Sequence, residues 1–593
     1  MEVDKALSLV GGKRSLWQLQ KATIMTVFVY LTCPFFAYLN VFVGWTPPHH
    51  CTTPNNTSSN QTIPYIYNKE SVRTLDQCHV YVTSSIDNRT RLTNQTTGCH
   101  DYTYNADGYT SIVTEFDLVC DKSYLSALSQ SCYFFGVLCG SLIFPTISDM
   151  FGRKLTALGA LWCAGLTCLC TLTVRDAYGY IAIRFFSGAF IKGSGLAQFT
   201  LNAELFPSDK RSFAASYQFF WYSIWLSVLS LVGYLLTDWR HVILLVGCSC
   251  YLSIIAVWLL EESVPWLVAN GRGKQAVAIL EKAAKRNRAT LPSNVIDDVI
   301  MAASRDANQP EDGQKRRLAG LKNITAVLKL KCACTKQGDA DIGVLDILKH
   351  PKLRIWSLLM LFVWMNTNIV YYGLSFSSTA FVGNRFVNFF LTAVVEIPAY
   401  IFLKFSIEKF GRRYCVLSCY ILTGLFVLIS NCSPRHVNGM NLVPVVMAMN
   451  AMGKFFVTTA YGAIYIYTSE LYPTNIRTRG IGMNSMFARF GSMLAPFAEV
   501  LARKSAVYLG VTLGVAAVVN GILVLPLPET KKQPLPETMD DIDYLSRRTI
   551  SCKCSRPTED DVTGHEVTGD DVTREKREND DNAAETTMML RQI

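Results

Sequence analysis

The amino-acid sequence predicts an all-α membrane protein in which twelve transmembrane helices form two six-helix repeats. The 593-residue chain is 50% hydrophobic and only 17% charged, whereas soluble proteins carry about 25% charged residues. Apolar runs of membrane-spanning length recur along the whole chain, and several short polar motifs occur twice. The net charge of +10 does not indicate nucleic-acid binding, because the basic residues cluster in short loops between apolar runs.

Each predicted span is close to the ~20 residues that a helix needs to cross a bilayer. The spans lie at 22–43, 126–147, 155–173, 178–200, 213–235, 241–260, 355–376, 386–407, 414–430, 442–467, 480–501 and 505–526. The segment before them, 1–21, stays polar for too long to be a cleavable signal peptide. Six spans on either side of a polar linker, 263–354, predict an N-terminal bundle over 22–262 and a C-terminal bundle over 355–530.

The distribution of Lys and Arg predicts which ends of the helices are cytoplasmic. The loops after spans two, four, eight and ten are basic, and so is the linker 263–354. With twelve spans all of them fall on one side together with both termini, and the positive-inside rule makes that side cytoplasmic. The linker is partly amphipathic and is expected to form short helices at the membrane face. The tail 531–593 is polar and dense in charge, which predicts disorder.

A large polar loop at 44–125 is predicted to lie on the opposite, extracellular side. Cysteines and N-x-S/T acceptor sites concentrate in it, a combination typical of an oxidising compartment. The cysteines are Cys51, Cys78, Cys99 and Cys120, and the glycosylation acceptors are Asn55, Asn56, Asn60, Asn88 and Asn94. Two disulfides are expected here, but four cysteines allow three pairings and the sequence does not choose between them.

Three motifs of the first half recur in the second half. SDMFGRK after span two has its counterpart in IEKFGRR after span eight, and ELFPSDKR after span four matches ELYPTNIR after span ten. LLEESVPW after span six is weakly echoed by LPLPET after span twelve. The positions shift by nearly the same number of residues in all three cases, which indicates an internal duplication. Parallel halves of this kind are a transporter architecture, with substrate near the membrane midplane.

These motifs resemble those of the major facilitator superfamily. The run Asp149-x-x-Gly152-Arg153-Lys154 looks like its loop motif, and Arg184 with Gly188 looks like the R-x-x-x-G of its fourth span. The resemblance implies a latch of charged residues that breaks and re-forms as the halves rock. Its predicted members are Asp149, Gly152, Arg153, Arg184, Glu204, Arg211, Glu408, Arg412, Glu470 and Arg477. Pro145 stands where the family usually has a glycine, four residues before the aspartate.

Longer motifs are similar to those of the organic cation, anion and carnitine transporter family. They are TSIVTEFDLVC at 110–120, EESVPWLVANGR at 261–272 and SELYPTNIRTRGIG at 469–482, while 386–400 and 453–473 look most like the carnitine branch. The resemblance implies a secondary transporter of small organic ions that works by alternating access. Organic cation members of this family typically place an aspartate at the position of Arg489, whereas organic anion and carnitine members place an arginine there.

Charged residues inside the predicted spans are the candidate substrate-binding groups, because a charge at membrane depth is costly. Helical spacing puts Arg489 on a small, polar face with Ser485 and Ser492, so we expect it to face the protein interior. Lys454 in span ten and Glu396 in span eight are further intramembrane charges. The predicted substrate-binding residues are Arg489, Lys454, Glu396, Gln218, Tyr371 and Tyr461.

Each of these charges has a structural alternative. Arg489 could pair with a neighbouring helix without touching substrate, and Lys454 could extend its ammonium group to the membrane surface. Glu396 could be the permanent partner of either cation. A cavity that holds charges of both signs suits a zwitterion such as carnitine. Its carboxylate would meet Arg489, and its trimethylammonium group would meet aromatic rings and Glu396.

No motif for another chemistry is evident. The sequence has no G-x-x-x-x-G-K-[ST] run for ATP, no cluster of metal ligands and no Ser-His-Asp arrangement. We therefore expect no enzyme activity, no metal and no cofactor; sodium is one possible coupling ion. The prediction is a monomeric, lipid-embedded plasma-membrane transporter of organic cations or zwitterions. The alternatives are an organic anion transporter or exchanger, with Arg489 and Lys454 binding substrate carboxylates, and a non-transporting receptor.

Overall fold

The structure is a computed structural model of the full chain, and it describes most of the predicted membrane region. The described residues are 2–11, 15–51, 78–86, 89–98, 102–307, 350–378, 384–433, 436–437, 440–473, 476–504, 506–531, 533, 536 and 542. Within them lie helices that account for all twelve predicted spans. The tail beyond 542 and most of the second part of the linker fall outside the described residues.

The helices of the first half and of the linker are α1 (Glu2–Gly11), α2 (Leu16–Phe28), α3 (Thr32–Val43), α4 (Ile112–Glu115), α5 (Tyr124–Phe151), α6 (Arg153–Cys170), α7 (Ala177–Glu204), α8 (Arg211–Leu235), α9 (Trp239–Ser249), α10 (Ile254–Leu259), α11 (Val264–Ala269), α12 (Gly273–Asn287) and α13 (Ser293–Ala307). Those of the second half are α14 (Pro351–Ser377), α15 (Arg385–Val394), α16 (Glu396–Phe410), α17 (Arg412–Cys432), α18 (Val443–Leu471), α19 (Arg477–Leu494), α20 (Phe497–Lys504) and α21 (Ala506–Val524). Three small antiparallel hairpins pair β1 (His49–Cys51) with β4 (Tyr102–Tyr104), β2 (His79–Ile86) with β3 (Arg89–Gly98), and β5 (His436–Val437) with β6 (Met440–Asn441).

The predicted all-α membrane class is confirmed. In the described part of the chain, 10 helical segments are long and apolar enough to cross a membrane. The other two predicted spans, the fourth and the eleventh, are α7 and the pair α19–α20. Both are helical apart from the break between α19 and α20, but charged residues such as Lys192 and Arg489 lower their hydropathy.

Prolines explain three of the breaks that divide predicted spans into two helices. A proline has no N–H to donate and its ring clashes with the carbonyl group four residues earlier. Pro398 therefore ends α15 at Val394 and starts α16 at Glu396. Pro496 separates α19 from α20, and Pro34 lies just after the break between α2 and α3. The break in the eighth span sets Glu396 at a helix start in the middle of the membrane region.

Glycines allow the helices of each half to approach backbone to backbone. A Cβ atom added to Gly136 on α5 would lie 1.9 Å from the Phe185 carbonyl oxygen of α7. A Cβ atom on Gly188 of α7 would lie 2.1 Å from the Tyr133 carbonyl oxygen of α5. In the second half, a Cβ atom on Gly491 would lie 2.0 Å from a carbonyl oxygen of α14. Each half is therefore held by contacts that leave no room for side chains.

The two halves contact each other mainly through α8 with α15 and α16, and through α5 with α19. Three hydrogen bonds between them are described: Ser131 Oγ to the Met493 carbonyl (2.6 Å), Ser230 Oγ to the Phe386 carbonyl (2.7 Å) and Ser223 Oγ to Glu396 (3.4 Å). They lie at mid-depth or toward the face that carries the described residues between α3 and α5, which we call the loop face. None of these three hydrogen bonds lies at the opposite end of the bundle, which we call the linker face.

The N-terminal helix and the linker helices form a layer over the linker face of the first half. Asp4 of α1 accepts hydrogen bonds from the Ser208 hydroxyl (2.6 Å) and amide (2.9 Å), which lower the pKa of Asp4. Asn287 of α12 donates to the Val10 carbonyl of α1 (2.8 Å) and accepts from the Trp17 amide of α2 (2.8 Å). Helices α11–α13 occupy the first part of the predicted linker, and 308–349 lie outside the described residues.

One disulfide links Cys78 to Cys120 within the loop that was predicted to hold two. The Cys51 side chain and Cys99 lie outside what the structure describes, as do Asn55, Asn56, Asn60 and Asn88. Of the acceptor asparagines, Asn94 alone has a described backbone, in β3. His49 lies beside Cys78 and Cys120, but both thiols are consumed by the disulfide.

Gly136→Ala is expected to destabilise the protein by about 1–3 kcal/mol, because the added methyl group overlaps a backbone carbonyl oxygen that cannot move aside. Thermal unfolding of the detergent-solubilised protein measures this as a lower Tm. Gly159→Ala on α6 is the matched control, because a Cβ atom there meets nothing within 4 Å. Equal Tm values for the two variants would contradict the close helix crossing.

Candidate functional site

The two halves surround a chamber whose walls are rich in tyrosine. Tyr30 and Tyr222 belong to the first half, and Tyr400 and Tyr465 belong to the second. Each of these side chains is partly exposed. Tyr30 contacts Tyr222, and Tyr400 lies within electrostatic range of Tyr30 and Tyr465, so partly exposed tyrosines of both halves face the space between the halves. This central chamber lies between the halves at mid-depth in the bundle.

Glu396 and Lys454 form an ion pair beside the chamber. The Lys454 Nζ atom is 3.1 Å from Glu396 Oε1, and the two side chains are 1% and 0% exposed. Lys454 also donates to Ser375 Oγ at 2.7 Å, and its ammonium group lies 3.2 Å from the centre of the Tyr371 ring. The Tyr371 hydroxyl donates to Glu396 at 2.6 Å. Each charge therefore has a partner of opposite sign within the second half.

The break before α16 explains how Glu396 reaches this position. Glu396 is the first residue of α16, and Ser223 of the first half donates a hydrogen bond to it across the interface at 3.4 Å. Of the alternatives left by the sequence, the pairing of Glu396 with Lys454 is the one present. Lys454 is buried at this depth and does not reach a membrane surface.

Arg489 faces the interior, as its helical spacing predicted. It is 9% exposed, whereas Leu494 on the other side of α19 is 54% exposed. The groups close enough to act on its charge are Tyr372, Tyr461 and Tyr465, with the Tyr372 hydroxyl in position for a hydrogen bond. In the part of the chain that the structure describes, no carboxylate lies within ion-pairing distance of the guanidinium group.

Lys192 is a second unpaired cation, which the sequence reasoning missed. It lies halfway along α7, close to Cys33 of α3 and within range of the positive charge of Arg489. Among the described residues it makes no hydrogen bond or ion pair. Its side chain is partly exposed, and the proximity of Arg489 of the other half places it at the space between the halves. The signal was available, because Lys192 is a lone charge in the apolar run FIKGSGLA and meets the criterion that singled out Arg489.

The remaining predicted binding residues lie around the same space. Gln218 on α8 is buried and accepts a hydrogen bond from Asn202 at 3.3 Å. Tyr461 stacks on Tyr371, with ring centres 5.1 Å apart, and contacts Tyr465 at 5.5 Å. The structure thus brings the predicted residues together around one space. Glu396 and Lys454 neutralise each other, whereas the positive charge of Arg489 has no carboxylate partner among the described residues.

A cluster of charged residues holds the linker face of the first half. The Arg153 guanidinium lies 2.8 Å from Asp149 and 3.2 Å from Glu204. Glu262 accepts the backbone amides of Arg153 (2.9 Å) and Lys154 (3.1 Å) at the start of α6, where a carboxylate complements the helix dipole. Ser263 donates to Glu204. These contacts connect the linker-face ends of α5, α6, α7 and α11.

The second half carries the same cluster at the repeated motifs. Arg412 pairs with Glu470 at 2.8 Å, and Glu529 accepts the amides of Arg412 (2.9 Å) and Arg413 (3.1 Å). Thr530 donates to Glu470 at 2.5 Å, as Ser263 does to Glu204. The glycine before each arginine has a positive φ, 103° at Gly152 and 87° at Gly411, a conformation that favours glycine.

Four predicted latch residues lie outside these clusters. Arg184 donates to Gln130 (2.6 Å) and lies over the Tyr133 ring, twenty residues and about 30 Å from Glu204 along the same helix. Arg211 is 3.7 Å from Asp4. Arg477 donates to the Tyr472 carbonyl (3.3 Å). Glu408 is exposed and has no ion pair among the described residues. Arg184 lies far from the cluster because a motif match identifies the helix that carries the arginine but not the arginine's depth along that helix.

Comparison with known proteins identifies the family. Residues 79–541 match the family described as "Sugar (and other) transporter". The organic cation transporter protein of Drosophila melanogaster is 31% identical over 527 residues, covering 87% of this chain and 90% of the relative. Organic anion transporter 3 of Oryctolagus cuniculus is 30% identical over 516 residues (85% and 87%), and organic cation/carnitine transporter 2 of Rattus norvegicus is 29% identical over 534 residues (85% and 87%).

Solved structures with the same fold come from the xylose transporter XylE of E. coli. Its partially occluded inward-open form gives a TM-score of 0.54, with 12% identity, and covers 87% of this chain and 100% of that one. The inward-open form gives 0.53, with 12% identity, and covers 89% and 99%. XylE is described as a major facilitator superfamily proton:xylose symporter.

The family match spans most of the chain, and the fold and the duplicated clusters agree with it. Transporters of this architecture bind substrate between their two halves, which is where the intramembrane charges of this chain lie. The chain therefore belongs to the organic cation, anion and carnitine transporters of the major facilitator superfamily, and it is a multi-pass membrane transporter rather than an enzyme.

Proposed function

We propose that this transporter carries small organic anions, and zwitterions through their carboxylate group, by binding them between Lys192 and Arg489. The observation that carries the proposal is the charge balance of the chamber. Glu396 and Lys454 neutralise each other, whereas Lys192 and Arg489 act on one another with like charge and have no carboxylate partner in the described chain. An anionic substrate supplies the missing negative charge.

The two cations are suited to this task in different ways. The planar guanidinium group of Arg489 can donate two parallel hydrogen bonds to a carboxylate, whereas the ammonium group of Lys192 acts as a point charge. Both act at low local dielectric, where attraction to an anion is much stronger than in water. The tyrosine walls provide aromatic faces and hydroxyl groups for the organic part of the substrate.

The positions of the cations also connect binding to movement. Lys192 belongs to the first half and Arg489 to the second, so a bound anion draws the two halves together over the chamber. Without substrate, repulsion between the two cations opposes closure. A ligand shifts a conformational equilibrium only if it binds the two states differently, and an anion that bridges the halves in one state meets this condition.

An organic cation is the second candidate substrate, but Glu396, the carboxylate that would bind it, is already engaged. The carboxylate of Glu396 is fully buried and already bonded to Lys454, Tyr371 and Ser223. A cation would have to displace Lys454 and would meet the field of Arg489 and Lys192. The order expected from the sequence, with cations and zwitterions first, is therefore changed in this proposal to anions and zwitterions first.

The proposed setting is the plasma membrane, with a monomeric transporter whose linker face is cytoplasmic. The basic loops at Arg153, Arg412 and the linker helices support this orientation through the positive-inside rule. The Cys78–Cys120 disulfide on the loop face supports an oxidising environment on the other side.

Arg489→Ala and Lys192→Ala are each expected to lower kcat/KM for uptake of radiolabelled salicylate about 10- to 100-fold. Each removes a hydrogen bond to a charged group, which contributes about 1.5–3 kcal/mol. Arg489→Lys should retain part of the activity. Arg175→Ala, at an exposed site on the loop face, is the matched control. Carnitine and tetraethylammonium uptake are measured in parallel; unchanged salicylate uptake in both alanine variants would refute the anion site.

The Glu396–Lys454 pair is expected to stabilise the protein rather than to bind substrate. Glu396→Gln and Lys454→Met alone should each destabilise it by about 3–5 kcal/mol, because each leaves a buried charge without its partner. The double variant should recover most of the Tm and the salicylate uptake. A double variant that is stable and present at the cell surface, but inactive, would show instead that the pair contacts substrate.

A further inference from the structure

We propose that Arg385 is a clasp that holds the two halves together at the loop face, and that it sets the balance between this conformation and the one open to that face. Arg385 is the first residue of α15 in the second half. Its guanidinium carbon lies 3.5 Å from the centre of the Trp45 ring and 4.5 Å from that of Tyr109. Both rings belong to the first half, so the contact crosses the interface.

The contact depends on aromatic rings rather than on an ion pair. Arg385 has no carboxylate within ion-pairing distance in the described chain, and its buried Nη1 has no hydrogen-bond partner. Asp107 attracts it only from a longer range. The neighbouring Phe386 ring, 4.6 Å away, completes a cage of three aromatic faces. Indole is the best of the aromatic rings for holding a cation, and loss of water strengthens the attraction.

Further contacts between the two halves surround the clasp. Phe386 stacks on Phe42 of α3, with ring centres 5.8 Å apart, and Ser230 of α8 donates to the Phe386 carbonyl at 2.7 Å. These neighbours are uncharged and apolar apart from one hydrogen bond. Arg385 brings a positive charge into this patch, and its attraction to Trp45 is lost when the halves separate.

The clasp differs from the charged clusters at the linker face. In this structure those clusters join helices within one half. The Arg385–Trp45 contact joins one half to the other, so the loop face cannot open while it persists. Removing either partner should therefore favour the open conformation without changing the substrate chamber, whichever charge the substrate carries.

The test is the rate at which a thiol reagent modifies Ser131→Cys in the purified protein in lipid nanodiscs. Ser131 is 6% exposed and bonds to the Met493 carbonyl across the interface, so it becomes accessible only when the loop face opens. Each variant is also measured without Ser131→Cys, to subtract modification of native cysteines. Tyr124→Cys, at a position that is 48% exposed, measures reagent access independently of the clasp.

Arg385→Leu is expected to raise the Ser131→Cys modification rate about tenfold, within the range for a desolvated cation–π contact. Arg385→Lys should give a smaller increase, because lysine keeps the positive charge and loses only the planar surface that stacks on the ring. Arg240→Leu is the matched control. Arg240 is also a loop-face arginine over a tryptophan ring, at 4.8 Å, but its partners Trp239 and Glu115 belong to its own half.

Trp45 gives a second, independent route to the same answer. Trp45→Leu should act like Arg385→Leu, Trp45→Phe should act more weakly, and the double variant should react no faster than either single variant, because both remove one contact. A folded Arg385→Leu protein whose rate stays within twofold of the parent would overturn the proposal. If Arg385→Leu does not fold, equal rates for Trp45→Leu and Trp45→Phe would overturn it instead.

Discussion

The chamber depends on one constraint: a charge taken out of water needs a partner of opposite sign, or it raises the free energy of the protein. Lys454 meets this requirement through Glu396 at 3.1 Å. Arg489 and Lys192 do not meet it within the described chain, and they belong to different halves. The resting site therefore holds uncompensated positive charge, which makes a bound anion part of the energetic balance between conformations.

Backbone features place these charges. Pro398 interrupts the eighth span and so puts Glu396 at the first turn of α16, facing α14 and α18. Glycines at the α5–α7 crossing, and at the contact of α19 with α14, leave the helices of each half no room to slide. The repeated clusters around Arg153 and Arg412 hold the linker-face helix ends of each half. Two helical bundles, each held by its own contacts, follow from these local features.

The sequence predicted more of the fold than of the site, for physical reasons. Hydropathy and helix length are local properties, so all twelve spans could be located, and the inward direction of Arg489 followed from helical spacing alone. The pairing of Glu396 with Lys454 depends on the relative rotation of two helices far apart in sequence, which periodicity does not contain. Arg184 was grouped with the latch because a motif gives no depth, and Lys192 was missed although its isolation in an apolar run marked it.

In the described part of the chain, the layer of α1 and α11–α13 packs on the first bundle, through contacts such as those of Asp4 with Ser208 and of Asn287 with Val10. Helix α1 is thus attached to the N-terminal bundle, whereas the segment after α21 follows the last helix of the C-terminal bundle. A pair of fluorophores, one fused before Glu2 and one inserted after Thr530, would travel with different bodies. Their energy transfer would follow the turnover of a single molecule in real time.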